Sequence, residues 1–289
     1  MIKKILIPLD YSDAALNALD TAVCIARENK ATLQILHVND TTHSFNGSRE
    51  PEIFVNTTEI AEAMAGSILH KHGISAETIF IDGIVGPAII KVAYENQIDL
   101  IVMGSSGASG QRELYTGSNA YFVLKHAECP VLIIPEENKW RQFKKVLYPV
   151  RPTFGALKQF DIVKRVVANG NKNCQYEILG IHVDKHSNDP ERLGKMVQEM
   201  STQMAGDEKI EISIGAAGEK RIATEIMEKA VHTYADLVVI SSTIDVSNKP
   251  FFIGPFTQQL INQAKIPILS VLRVANKNVN HQTYTQGHR

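Results

Sequence analysis

This chain lacks the features that mark disulfide scaffolds, membrane proteins and polyanion binders. Its three cysteines, Cys24, Cys129 and Cys174, lie far apart and show neither CxxC nor Cys/His ligand spacing. No disulfide framework or structural zinc site is therefore expected, and a reduced, cytoplasmic setting is the simplest reading. An excess of one charge is missing too. The 30 Lys and Arg residues against 31 Asp and Glu leave a formal net charge of -1, which provides no general attraction to nucleic acid or to an anionic membrane. Any partner must be recognised at a local site. No stretch approaches the roughly 20 apolar residues that cross a bilayer. The opening MIKKILIPLDYS carries paired lysines, but Pro8 and Asp10 break its apolar run, which predicts a first strand and not a targeting segment.

What is present is a repeat. At 289 residues and about 150 residues per domain, two domains are expected, and 44% hydrophobic with 21% charged residues is enough for each to bury a core. KKILIPLD, from Lys3 to Asp10, recurs as KKVLYPVR, from Lys144 to Arg151; LQILHV, ending at Val38, recurs as EILGIHV, ending at Val183. DLIVMGSS from Asp99 recurs as DLVVISST from Asp236, and CPVLII with Pro130 as IPILSV with Pro267, both at an offset of 137 residues. The predicted domains are residues 1–138 and 143–273. A charged link runs from Glu136 to Gln142 and holds the single tryptophan, Trp140, and a polar tail occupies 274–289.

Within each half, short β-branched runs alternate with segments of helical period. Ile5 to Leu9 reads as a strand. Ser12 can cap a helix whose Leu16, Leu19, Val23 and Ala26 share a face. Leu33 to Val38 is a second strand. A polar excursion from Asn39 to Asn56 precedes a helix from about Thr58 that stops near Gly73. Thr78 to Ile81, Leu100 to Met103 and Val131 to Ile134 read as strands, with helices over Pro87 to Glu95 and from about Ser118. Continuous apolar strands separated by amphipathic helices predict parallel sheets covered on both faces. The fold class is α/β, as two tandem doubly wound, mostly parallel five-stranded domains.

The stretch that carries chemistry is MGSSGASGQRELYTGSNA, from Met103 to Ala120, where the fourth strand ends and a helix begins. In an open α/β sheet, ligands bind outside the carboxyl ends of the strands. A glycine-rich backbone there can curl its N–H groups around phosphate oxygens, helped by the helix N-terminus. Such a cluster also serves as a plain tight turn, and this one fits neither Walker A nor GxGxxG. Arg112 either adds a charge to the loop or stays in solvent.

The spacing Gly104-x2-Gly107-x9-Gly117-Ser118 resembles the ATP-binding motif of the universal stress protein family, G-x2-G-x9-G-(S/T). The first strand ending in P-x-D, the second ending in His37-Val38 and the last opening at Cys129-Pro130-Val131 are also family features, so the resemblance covers both halves. It implies an adenine nucleotide alpha hydrolase-like, Rossmann-like fold and a single ATP site, with Mg²⁺ as the accompanying ion. Asp10 and Val38 would hold the adenine and ribose side. Met103 would line the base pocket. Gly104, Gly107, Gly117, Ser118 and Asn119 would hold the phosphates. Read from the residues alone, Asp10 equally suits a helix start, and Val38 and Met103 equally suit core packing.

The second half departs from the motif. Arg151 stands at the position of Asp10, Ser241 at Gly104, Ile244 at Gly107 and Pro255 at Ser118, while Gly254 answers Gly117. Ile244 would obstruct close backbone approach and Pro255 removes a donor. The expectation is therefore a regulatory nucleotide-binding stress-response protein that binds ATP in its first half only. The alternatives are a slow ATPase or nucleotide-transferring enzyme, for which Asp10 and Arg112 are the nameable residues, and a nucleotide-free interaction module. In the family, last strands pair across a two-fold axis, so Val131 to Ile134 and Ile268 to Val271 are expected to pair within the chain. A homodimer remains open. His37 and His182 read as satisfied rim histidines, Cys129 as a buried small residue, and His70 and His72 as unsuited to a metal.

Overall fold

The computed structural model describes residues 2–40, 52–105, 118–136, 142–150, 160–167, 174–183, 194–195, 198–199, 202, 209–217, 222–241, 260–261 and 265–271, and the architecture is that of these residues. The first half runs β1 (Lys4–Pro8), α1 (Asp13–Asn29), β2 (Thr32–Asp40), α2 (Glu52–His72), β3 (Ala76–Gly83), α3 (Val85–Glu95), β4 (Leu100–Ser105), α4 (Ser118–His126) and β5 (Val131–Pro135). The second runs β6 (Lys145–Val150), α5 (Phe160–Val167), β7 (Gln175–Val183), β8 (Lys209–Ala217), α6 (Ile222–His232), β9 (Leu237–Ser241) and β10 (Ile268–Val271). One ten-stranded sheet results, in the order β3-β2-β1-β4-β5-β10-β9-β6-β7-β8.

Strands within each half are parallel, and β5 meets β10 antiparallel, with Leu132 opposite Leu269 between the pairs Val131–Ser270 and Ile133–Ile268. An offset of 137 carries Val131 to Ile268 and Ile133 to Ser270, so this register maps onto itself about the Leu132–Leu269 pair. The carboxyl ends of the two sets of strands consequently lie at opposite edges of the sheet.

Both faces are covered, as parallel strands require. Ile5, Ile7 and Val102 point to the side of α1, α2 and α5, where they join Val146 and Val163 in one buried cluster. Leu6, Ile101 and Met103 point to the side of α3, α4 and α6, where they join Val238 and Ile226 in a second. Each cluster draws residues from both halves.

The start of α1 follows from its local chemistry. Ser12 is the N-cap, its Oγ accepting a hydrogen bond from the Ala15 N–H at 3.2 Å, and Asp13 complements the helix dipole in the first turn. The helix ends with Lys30 at φ 54 and the Ala31 N–H on the Ala26 carbonyl at 2.9 Å. Between these ends the small side chains of Ala18 and Ala22 are wholly buried and let the helix lie close on the sheet. Ser12→Ala is expected to cost about 1 kcal/mol, read as a lowered urea midpoint; an unchanged midpoint would show that another group caps the helix.

The repeat has a structural signature beyond its apolar pattern. The Lys3 and Lys4 amides donate to Asp99 Oδ2 at 2.7 and 3.0 Å, and the Lys144 and Lys145 amides donate to the Asp236 carboxylate at 2.7 and 3.0 Å. Each aspartate ties the start of its half's first strand to the turn before the fourth. Burial pushes the Asp236 carboxyl above its ordinary pKa, against the opposing pull of those two amides. The turns also match, with Gln97 at φ 54 and Tyr234 at φ 55.

Element boundaries differ from expectation in two places that matter. Helix α2 begins at Glu52, six residues before the expected Thr58 and inside the stretch that reads as a polar excursion. Strand β4 continues to Ser105, so Gly104 belongs to the strand and pairs with Ile134 of β5.

Candidate functional site

At the carboxyl ends of the first-half strands, the ladders of the central strand β1 stop short of those between its neighbours and the outer strands. In β1, even-numbered residues face β4, as the Asp99 N–H on the Lys4 carbonyl shows, and odd-numbered residues face β2, as the Thr32 N–H on the Lys3 carbonyl shows. Pro8 therefore faces β4 without an N–H to give it, and the β1–β4 pairing ends at Leu6–Ile101. Pro149 stands at the matching place in β6, whose pairing with β9 ends at Leu147–Val238. On the other side, the β1–β2 pairing ends at Pro8–Leu36. β1 thus parts from both neighbours at the switch point of a doubly wound sheet, the place where such folds bind ligands.

The predicted residues take definite positions around it. Asp10 is exposed just past β1, and its Oδ1 accepts hydrogen bonds from the Ser12 N–H at 3.0 Å and the Ser12 hydroxyl at 2.6 Å. This is a helix-start role, and Tyr11 between them adopts φ 63. A non-glycine residue in the left-handed region costs about 1–3 kcal/mol and persists only where its surroundings enforce it. Here the Asp10–Ser12 bonds do so.

Val38 and Met103 come to the same face of the sheet, against the α3–α4 cluster, with Met103 buried and Val38 half-buried. Gly104 points to the other face, where a Cβ would lie 2.5 Å from Ala14 C, 2.7 Å from Ala14 O and 2.7 Å from Ala15 N. Its bareness is demanded by the first turn of α1. Ser118 opens α4 and Asn119 follows half-buried. Gly107, Gly117 and Arg112 of the loop lie outside the described residues, as do Trp140 of the link and, in the second half, Arg151, Ile244, Gly254 and Pro255; Ser241 is the last residue of β9.

Further residues stand around the site, of which Asn17 was not singled out in the sequence. Buried Asn17 of α1 donates to the Glu136 carbonyl at 2.8 Å, fastening the helix to the end of β5. His37, read as a satisfied rim histidine, has its Nδ1 3.1 Å from the Leu9 carbonyl and its ring between those of Tyr11 and Phe80. Recurrence of Pro8 as Pro149 was the available signal for the ladder stop. Cys129 sits half-buried beside the α3–α4 cluster, where burial pushes its thiol up to about 12 and keeps it protonated.

Apolar pair, exposed carboxylate, capped helix start and parted strands together define a doubly wound α/β protein whose central strand leaves its neighbours at the switch point. Comparison with known proteins gives this class a family. Residues 1–135 match the model of the Universal stress protein family. Universal stress protein YxiE of Bacillus subtilis is 37% identical over 147 residues, covering 46% of this chain and 99% of that protein. Universal stress protein MJ0531 of Methanocaldococcus jannaschii is 32% identical over 145 residues, 48% of this chain and 85% of that protein. A universal stress protein structure from Archaeoglobus fulgidus matches 93% of this chain and 96% of its own with a TM-score of 0.72 at 21% identity, which extends the likeness of fold across both halves. The chain belongs to the universal stress protein family.

Proposed function

We propose that this chain is a stress-response protein that binds one adenine nucleotide, ATP, in its N-terminal half and acts by occupancy and not by turnover. The reading divides the chain into domains at 1–138 and 143–273, places it in the cytoplasm, and assigns the second half the part that a partner subunit plays in a two-fold dimer, through β5 and β10. The observation that carries it is the parting of β1 from β2 and β4 beside the apolar pair Val38 and Met103. This offers a flat base an apolar floor and a polar rim at once. Phosphates would lie toward Gly104, Gly107, Gly117 and the first turn of α4, where Ser118 and Asn119 stand and the helix dipole favours an anion.

Magnesium fits only as cargo of the nucleotide. Among the described residues no group of three or more His, Cys, Asp or Glu side chains gathers to hold a metal, and Mg²⁺ bound through phosphates needs one or two protein ligands at most. Asp10, exposed just past β1, is a carboxylate at the carboxyl end of the central strand.

Equilibrium titration with ATP is expected to show about one site per chain. Gly107→Ile, which copies Ile244 of the second half, is expected to weaken binding by about 100-fold or more, since a β-branched side chain denies the backbone its approach to phosphate. Absence of ATP and AMP binding by the wild-type chain would overturn the proposal, and two equivalent sites would overturn the one-sided assignment.

A further inference from the structure

The parallel ladder between β1 and β2 should reach one step further than it does. The Leu9 N–H donates to the Leu36 carbonyl at 2.8 Å, which in a parallel pair places Leu9 level with His37 and sets the Val38 N–H to donate to the Leu9 carbonyl. The pairing instead stops at Pro8–Leu36. Into the place of that amide comes a side chain, His37 Nδ1, 3.1 Å from the Leu9 carbonyl oxygen. A carbonyl only accepts, so Nδ1 carries the proton.

Even-numbered residues of β2 turn their backbone toward β1, as Thr32 does when its N–H meets the Lys3 carbonyl at 2.8 Å. The Val38 N–H and C=O therefore face the β1 side, past the end of its ladder, and not β3. The imidazole is kept in place on the opposite face of the sheet from the Val38 side chain, with Tyr11 at 5.7 Å and Phe80 at 6.0 Å between ring centroids. Strand geometry, ring packing and the left-handed Tyr11 thus converge on one bond.

We infer that His37 is a positioning residue: by taking the Leu9 carbonyl it ends the β1–β2 ladder one step early and leaves the Val38 backbone open to hydrogen-bond the edge of a planar heterocycle lying on Val38 and Met103. The inference rests on the nucleotide reading for its ligand, but the ladder stop is a property of the protein alone. His37 touches no ligand in this scheme; it acts through Leu9 and Val38.

Two substitutions separate the bond from the ring. His37→Phe keeps a flat ring between Tyr11 and Phe80 and cannot donate; His37→Asn sets an amide N–H near the Nδ1 position. Amide hydrogen exchange in the nucleotide-free full chain is expected to show Val38 slowed by about tenfold in His37→Phe, as the ladder closes on the vacated carbonyl, and restored to the fast wild-type rate in His37→Asn. ATP affinity is expected to fall by about tenfold, or 1.4 kcal/mol, in the Phe variant and to return in the Asn variant. A merely structural histidine would lower the unfolding midpoint without moving Val38 exchange. Unchanged Val38 exchange in the Phe variant, or wild-type ATP affinity in it, overturns the inference. If the wild-type chain binds no nucleotide, the functional proposal fails and the exchange rates alone decide the role of His37. Should the Phe variant not fold, His37→Gln, whose amide lies nearer the Nε2 position, replaces it and is expected to behave as the non-donor; equal Val38 exchange in the Asn and Gln variants would overturn the role.

Discussion

Gly104→Val is expected to destabilise the protein by about 3 kcal/mol or more and to abolish ATP binding with it. The cause is backbone meeting backbone. Any Cβ at this position stands 2.5 Å from Ala14 C and 2.7 Å from both Ala14 O and Ala15 N, and no rotamer change can move those atoms. Either α1 lifts from the sheet or β4 bends away from α1, out of line with β5. The first loses the burial of Ala18 and Ala22 and strains the Asn17 bond to the Glu136 carbonyl. The second disturbs the pairing of Gly104 with Ile134.

Both movements displace Asp10 and Ser12 relative to Met103, so affinity and stability fall together. Gly66 supplies the control. It lies exposed on α2 with nothing within 4 Å of its would-be Cβ, and Gly66→Ala is expected to be neutral or to stabilise by roughly 0.5–1 kcal/mol. Urea unfolding of the two variants beside the wild type decides it. A Gly104→Val midpoint near that of the wild type would mean that α1 does not pack as closely as the geometry requires.

That contrast shows what the sequence made legible and what it hid. Alternating apolar runs and a capped helix revealed the α/β class, because periodicity reports which faces are buried. The offset of 137 between Asp99 and Asp236 and between Pro130 and Pro267 revealed the duplication. Gly104 was noticed for one neighbour only. Glycine spacing pointed to phosphate, whereas the structure adds a packing demand from α1 that spacing along the chain cannot carry. The second half has Ser241, a residue with a Cβ, at that place. His37 and Pro8 were hidden for a related reason. A ladder that stops is visible only once the register is known, and register is a relation between segments distant in sequence.

Single substitutions Leu132→Ala and Leu269→Ala are each expected to cost about 2–4 kcal/mol, and the double variant less than their sum by about 1 kcal/mol. The two leucines are wholly buried and directly opposite where, among the described residues, the halves exchange strand hydrogen bonds. Both point into the cluster shared by α1 and α5, where Asn29 of α1 also reaches the Arg165 carbonyl of α5 at 3.4 Å. Each truncation opens a cavity against the other leucine; the second enlarges a void that already exists instead of creating a new one. Because the register maps onto itself about this pair, the two single costs should agree closely despite the divergence of the halves. Shared clusters on both faces further imply that the wild-type chain unfolds in one cooperative step, with calorimetric and van't Hoff enthalpies in agreement. Loosening the pair should be what first separates the halves, splitting the transition in the double variant. Additive costs, or a wild-type chain that already melts in two steps, would show instead that each half folds on its own core and that β5 and β10 only lean together.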